Sequence, residues 1–155
     1  MRELPFGTVT FLFTDIEGST KLWEQHPEAM KTALAKHDSI LKDAIESNRG
    51  HVIKTTGDGF HAVFATAMDG INASVTAQRE LHSSFFLHPS SLSLKVRMGI
   101  HTGEAELRNN DYYGGTLNRA ARLMSVANGG QVLLSNTTAD LVREQLPAEI
   151  TLRDL

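Results

Sequence analysis

Apolar positions along this chain follow two periods. Leu92, Leu94, Val96, Met98 and Ile100 alternate with Ser93, Lys95, Arg97, Gly99 and His101, the pattern of a strand with one buried face. Met30, Leu34, His37, Leu41 and Ala44/Ile45 recur at helical spacing, which predicts a helix from Pro27 to Asn48 that Gly50 stops. Thr8 to Phe13 is short, β-branched and aromatic, and reads as a buried strand. A short helix around Leu22 and Trp23 follows, with Ser19 and Thr20 as helix-capping hydroxyls. Strands are expected over His51–Thr56 and Phe60–Ala65, joined by an Asp58-Gly59 hairpin turn. A helix from Ala67 to His82 and a loop from Phe85 to Ser91 come next.

The alternating strand is expected to turn at Thr102-Gly103, so that Glu104 to Leu107 pairs back. Asn109-Asn110-Asp111 is turn-like. A helix from Thr116 to Val126, a short strand from Gln131 to Leu134 and a helix from Thr137 to Glu144 complete the order β α α β β α β β α β α. That order predicts an α+β domain: a ferredoxin-like βαββαβ kernel with a mostly antiparallel sheet and helices packed on one face.

The 155 residues favour a single domain with a sizeable core. There is no cysteine, which excludes disulfides, thiolate metal sites and cysteine nucleophiles. That absence suits a reducing, cytoplasmic location. No apolar run approaches the roughly 20 residues of a spanning helix, so no membrane insertion is expected. The net charge is −3 and the basic residues are scattered, which argues against a nucleic-acid surface.

Candidate chemistry gathers at strand ends. Asp15 closes the first strand and Asp58 sits between the next two; each alone reads equally as a turn residue. Together, two carboxylates on rigid strand ends can hold two divalent cations for phosphoryl chemistry. Gly18, Ser19 and Thr20 open a helix beside Asp15, where free N–H groups suit phosphate oxygens. Strand parity puts Lys54 on the same face as Val52 and Thr56, either as a solvated edge lysine or as a donor to a ring nitrogen. Asp111 is a turn residue or an acceptor for an exocyclic amine. Asn118 and Arg122 share a helix face while Arg119 points elsewhere; the face is either simply solvated or carries a sugar-positioning amide and a cation for a phosphoryl group. His37, His51, His61, His82 and His101 show no metal-ligand spacing and read as ordinary residues. P-loop and nucleophile-elbow patterns are absent.

Four motifs combine these residues: Phe-Thr-Asp-Ile-Glu-Gly-Ser-Thr from Phe13, Lys-Thr-Thr-Gly-Asp-Gly from Lys54, Val-Arg-Met-Gly-Ile-His-Thr-Gly from Val96, and Asp-Tyr-Tyr-Gly-Gly-Thr-Leu-Asn-Arg-Ala-Ala-Arg-Leu from Asp111. With them the chain, from Thr8 to Leu155, resembles the catalytic domain of a class III nucleotidyl cyclase of the bacterial adenylate cyclase type. The resemblance implies that Asp15, Asp58 and the Ile16 carbonyl bind two Mg²⁺ or Mn²⁺ ions per site. It implies Lys54 and Asp111 as the adenine-selecting pair, Asn118 as the ribose-orienting residue and Arg122 as the transition-state arginine. It also implies a head-to-tail homodimer with two composite sites, the metal aspartates coming from one subunit and the other residues from its twin. Related domains continue through further strands carrying a lysine for the terminal phosphates. Residues 1–155 are therefore expected to be a cyclase domain without those last strands, with regulatory or DNA-binding domains fused elsewhere.

The expected activity is conversion of ATP to 3′,5′-cyclic AMP and pyrophosphate. The lysine donor and carboxylate acceptor match adenine's N1 and 6-amino group and mismatch guanine. Two alternatives are a silent nucleotide-binding or dimerisation module and another two-metal enzyme such as a diguanylate cyclase or polymerase. The latter lacks its Gly-Gly-Asp/Glu-Glu-Phe signature here.

Overall fold

A computed structural model describes residues 3–86 and 92–155, with only the backbone at Phe86. The elements in chain order are β1 (Gly7–Ile16), α1 (Ser19–Gln25), α2 (Pro27–Ser47), β2 (His51–Thr56), β3 (Gly59–Phe64), α3 (Ala67–Phe86), β4 (Val96–Arg108), β5 (Asp111–Tyr113), α4 (Gly115–Val126), β6 (Val132–Leu134) and α5 (Asn136–Val142). The sheet runs β2-β3-β1-β4-β5, and β6 joins β4 in parallel. The other pairings are antiparallel. The predicted α+β class holds; the element order differs at one strand, since Glu104 to Leu107, expected to pair back on its own, continues β4, and β5 lies at Asp111–Tyr113.

The sheet has a core on each face. Leu12, Ile16, Ala62, Phe64, Met98 and Ile100 pack with Met30, Leu41 and Ile45 of α2, with Ile71, Ala73 and Ala77 of α3 and with Val142 of α5. Val9, Phe11, Phe13 and Val63 point the other way, toward Tyr112 and Ala120. This alternation along β1 is the pleat at work. It also alters one detail of the expected layering: α2, α3 and α5 share a face, whereas α4 covers part of the opposite one. Gly99 permits that approach, since a Cβ there would lie 2.4 Å from the Met124 backbone nitrogen.

The expected turn at Thr102-Gly103 does not exist. β4 runs unbroken to Arg108 and pairs with β1 from Ile16↔Val96 to Gly7↔Ala105. Thr102 is buried, with its hydroxyl 2.9 Å from Thr10 Oγ1 and 3.0 Å from Thr138 Oγ1, so it ties α5 to the sheet. Gly103 makes room for Thr116, whose Oγ1 would be 2.7 Å from an added Cβ. The chain reverses instead at Asn109 and Asn110, both at positive φ (54° and 62°), a conformation asparagine tolerates well. Leu92 and Leu94 continue the alternation but lie outside the strand, because β1 ends at Ile16 and offers them no partner. Phe85 and Phe86, expected in a loop, belong to α3; residues 87–91 of that expectation lie outside the described residues.

Candidate active site

Asp15 and Asp58 are brought together by backbone packing. Gly57, at φ 55°, turns the chain between β2 and β3. Gly59 then presses against β1 so closely that a Cβ would lie 2.3 Å from the Thr14 carbonyl oxygen. The Phe60 N–H donates to Thr14 Oγ1 at 3.1 Å. These contacts hold Asp58 beside the end of β1. The two carboxyls interact: burial first, and then the Asp58 charge and a hydrogen bond to Asp58, push the Asp15 pKa above its ordinary value, while Arg97 opposes the rise.

Arg97 faces Asp15 across β1 and β4 and forms an ion pair with it through Nη2. Its Nη1 donates to the Ser125 carbonyl at 3.4 Å, and its Nε is buried without a partner. The sequence offered one signal for Arg97, its place as a polar residue in the alternating strand, and that signal also fits a solvated arginine. Among the described residues, no cluster of three or more histidine, cysteine, aspartate or glutamate side chains gathers. The candidate cation site therefore has two carboxylates, with further oxygen ligands left to backbone, solvent or substrate. An adjacent pair of carboxylates that already draws a guanidinium fits a hard divalent cation.

Gly18, at φ 68°, is the N-cap of α1, and no side chain caps that helix. Ser19 and Thr20 thus do not act as the expected capping hydroxyls; glycine's freedom at positive φ makes the entry.

Lys54 stands on exposed edge strand β2. A bulge between Val52 and Lys54 resets the parity expected from sequence: Val52 pairs with Ala62, while Lys54 pairs with His61 on the opposite face. Lys54 and Val52 therefore do not share a face. Asp111 opens β5, where its Oδ1 accepts from the Tyr112 N–H at 2.9 Å. The Tyr112 hydroxyl in turn donates to the Pro5 carbonyl at 2.5 Å. Lys54 is the cross-strand partner of His61, and the Asp111 charge reaches the same ring. Burial lowers the His61 pKa most, the Lys54 charge lowers it further, and the Asp111 charge raises it.

Asn118 and Arg122 are exposed on α4, as helical spacing predicts. Arg122 lines a cavity of about 380 Å³ with His101, Arg119, Leu123, Val126, Ser135 and Thr137. Arg119 does not point elsewhere; three residues before Arg122, it reaches the same cavity. His101 Nδ1 lies 2.7 Å from Ser135 Oγ. Burial and then the Arg119 charge lower the His101 pKa. This cavity contains neither Asp15 nor Asp58. The structure thus sets apart three places within one chain: the aspartates at the end of β1, Lys54 beside His61, and the exposed α4 face.

The family model of the adenylate and guanylate cyclase catalytic domain matches residues 1–154, and the chain belongs to that family. An uncharacterized protein of Mycobacterium tuberculosis is 43% identical over 153 residues, covering 97% of this chain and 50% of its own length. The adenylate cyclase of Schizosaccharomyces pombe is 32% identical, over 90% of this chain and 10% of the yeast protein. This chain therefore spans half or less of these relatives. Among solved structures, an adenylate cyclase of Trypanosoma brucei in its monomeric state superposes with a TM-score of 0.75 at 29% identity, over 90% of this chain and 78% of that one. The adenylyl cyclase CyaB from P. aeruginosa shares the fold, with a TM-score of 0.77 at 23% identity, over 90% and 82% of the two chains. No helix among the described residues is long and apolar enough to cross a membrane.

Proposed function

We propose that this domain is an adenylate cyclase that converts ATP to 3′,5′-cyclic AMP and pyrophosphate at sites shared between two copies of the chain. The observation that carries this reading is the docking of the hairpin that bears Asp58 against the end of β1, where Asp15 stands and feels the Asp58 charge. Like charges are forced together there at a cost, an arrangement worth keeping where a cation will neutralise them. Asp15, Asp58 and the Ile16 carbonyl are the residues that would hold Mg²⁺ or Mn²⁺, two per site. Bound there, these ions would act as Lewis acids toward phosphate oxygens and the attacking hydroxyl.

The chain's own residues supply the rest. The 3′-oxygen forms a bond to the α-phosphorus, the bond from that phosphorus to the bridging oxygen of pyrophosphate breaks, and the 3′-hydroxyl proton passes to solvent. Arg122 would offset the charge that develops on the α-phosphoryl oxygens, and Asn118 would orient the ribose. Lys54 would donate to adenine N1 and Asp111 would accept from its 6-amino group. Gly18, Ser19 and Thr20 would approach the triphosphate beside Asp15. A cation arriving at Asp15 would compete with Arg97 for that carboxylate and leave Arg97 with its bond to the Ser125 carbonyl. The separation of Arg122's cavity from the aspartates supports a site completed by a second copy, facing head to tail.

Incubation of the protein with ATP and Mn²⁺, with cyclic AMP as the readout and GTP in parallel, tests this reading. It predicts cyclic AMP from ATP and little cyclic GMP. A dimeric sample that forms no cyclic AMP, or that prefers GTP, contradicts it. A second reading, nucleotide binding without turnover, has one observation in its favour: Arg97 already satisfies Asp15. ATP binding by calorimetry with no product over long incubation would favour that reading.

A further inference from the structure

Lys54, His61 and Phe13 form one row across three adjacent strands. Lys54 is the register partner of His61 between β2 and β3, and His61 is the partner of Phe13 between β3 and β1. Direct cross-strand partners send their side chains to the same face. The Phe13 and His61 rings are stacked, with centroids 3.8 Å apart and planes 2° from parallel. Phe13 is 3% exposed, so it is a fixed backing for a ring that is itself only half-buried. The charged groups acting on His61 are Lys54 from β2 and Asp111 from β5.

Lys54 is one of the two side chains proposed for adenine, and the imidazole lies on its face of the sheet. A base held by Lys54 would meet this ring. We propose that His61 is a third base-recognition residue, a flat wall, backed by Phe13, against which the purine packs. This proposal rests on the adenylate cyclase reading and deepens it. Lys54 can only donate and Asp111 can only accept, so those two select the hydrogen-bonding edge of the base. Neither supplies a surface for its π face. The His61 ring, held flat against Phe13, presents one.

The test compares wild type with His61→Ala, His61→Phe and Lys54→Ala, measuring KM and kcat for ATP, the dissociation constant for ATP by calorimetry with Mn²⁺, and the melting temperature. Loss of base stacking is expected to raise KM and the dissociation constant about tenfold in His61→Ala, with kcat at saturation within about twofold. His61→Phe keeps the stack on Phe13 and should recover most of that loss. Unchanged KM and dissociation constant in His61→Ala, or a fall in kcat and melting temperature with KM unchanged, overturns the proposal. So does a phenylalanine variant as weak as the alanine one. Lys54→Ala separates the two levels: if it weakens ATP while His61→Ala does not, only the role of His61 fails. If Lys54→Ala has no effect on ATP, the base-site reading fails with it. Calorimetry keeps the test valid for a protein that binds without turnover.

Discussion

The tip of β1 and the exposed face of α4 carry opposite charge and are built in opposite ways. At the tip, Asp15 follows a strand buried on both faces, and Gly59 and Thr14 lock the hairpin bearing Asp58 against it. Every contact that places the aspartates lies within one chain. On α4, Asn118 and Arg122 project from a helix whose buried residue is Ala120, and among the described residues no ion pair fixes either side chain. One region is finished by folding, and the other has the form of a surface waiting for a complement. The proposed composite site would divide its labour in that way: rigid carboxylates would fix where charge is neutralised, and a cation from the twin would arrive with dimer formation.

The comparison breaks most sharply at Asp58. Asp58→Ala should lower cyclic AMP formation by roughly 10³-fold or more, since a cation site of two carboxylates loses half its charge. Folding should survive, because the change also relieves repulsion on Asp15; the melting temperature at pH 7 should be equal or slightly higher. Since Asp58 raises the Asp15 pKa, that gain should shrink as the pH falls and Asp15 protonates. A thermal melt across pH with a parallel cyclic AMP assay checks both parts.

Arg122→Ala tests the other region. Turnover should fall about 10²-fold, as for loss of one preorganised group facing transition-state charge. Stability should move by no more than about 0.5 kcal/mol, because the side chain is exposed. A large drop in melting temperature would instead make Arg122 a structural residue.

Gly59→Ala should behave in the opposite sense, acting through the fold. Its Cβ would collide with the Thr14 carbonyl, which is backbone and cannot swing away. A loss of about 1–3 kcal/mol is expected in denaturant unfolding, with weaker Mn²⁺ binding as Asp58 is displaced from Asp15.

The two regions were unequally legible in the sequence. The aspartates stand out at strand ends, Lys54 as a lysine within an apolar strand, and Asn118 and Arg122 as a pair on one helix face, and most of the element order followed from periodicity. What periodicity could not supply was the effect of close approach. Gly103 looked like a turn because glycine commonly is one; in fact it makes room for Thr116. Gly99 looked like the polar member of an alternating strand and is the flat spot on which α4 sits. The bulge at β2 has no composition signal, yet it decides that Lys54 meets His61 and not the α2–α3 core. Arg97 was hidden for a related reason: an arginine on the polar side of a strand has a meaning only once its cross-strand partner, Asp15, is known.

The central claim is that each site draws the aspartates from one chain and Arg122 from another. Mixing Asp58→Ala with Arg122→Ala subunits tests it directly. Each variant alone carries a defect in both sites of its dimer. Random exchange makes half the dimers mixed, and each mixed dimer has one site with both residues intact, so activity should return to about a quarter of wild type. Confirmed subunit exchange with activity no higher than that of the separate variants would contradict the account.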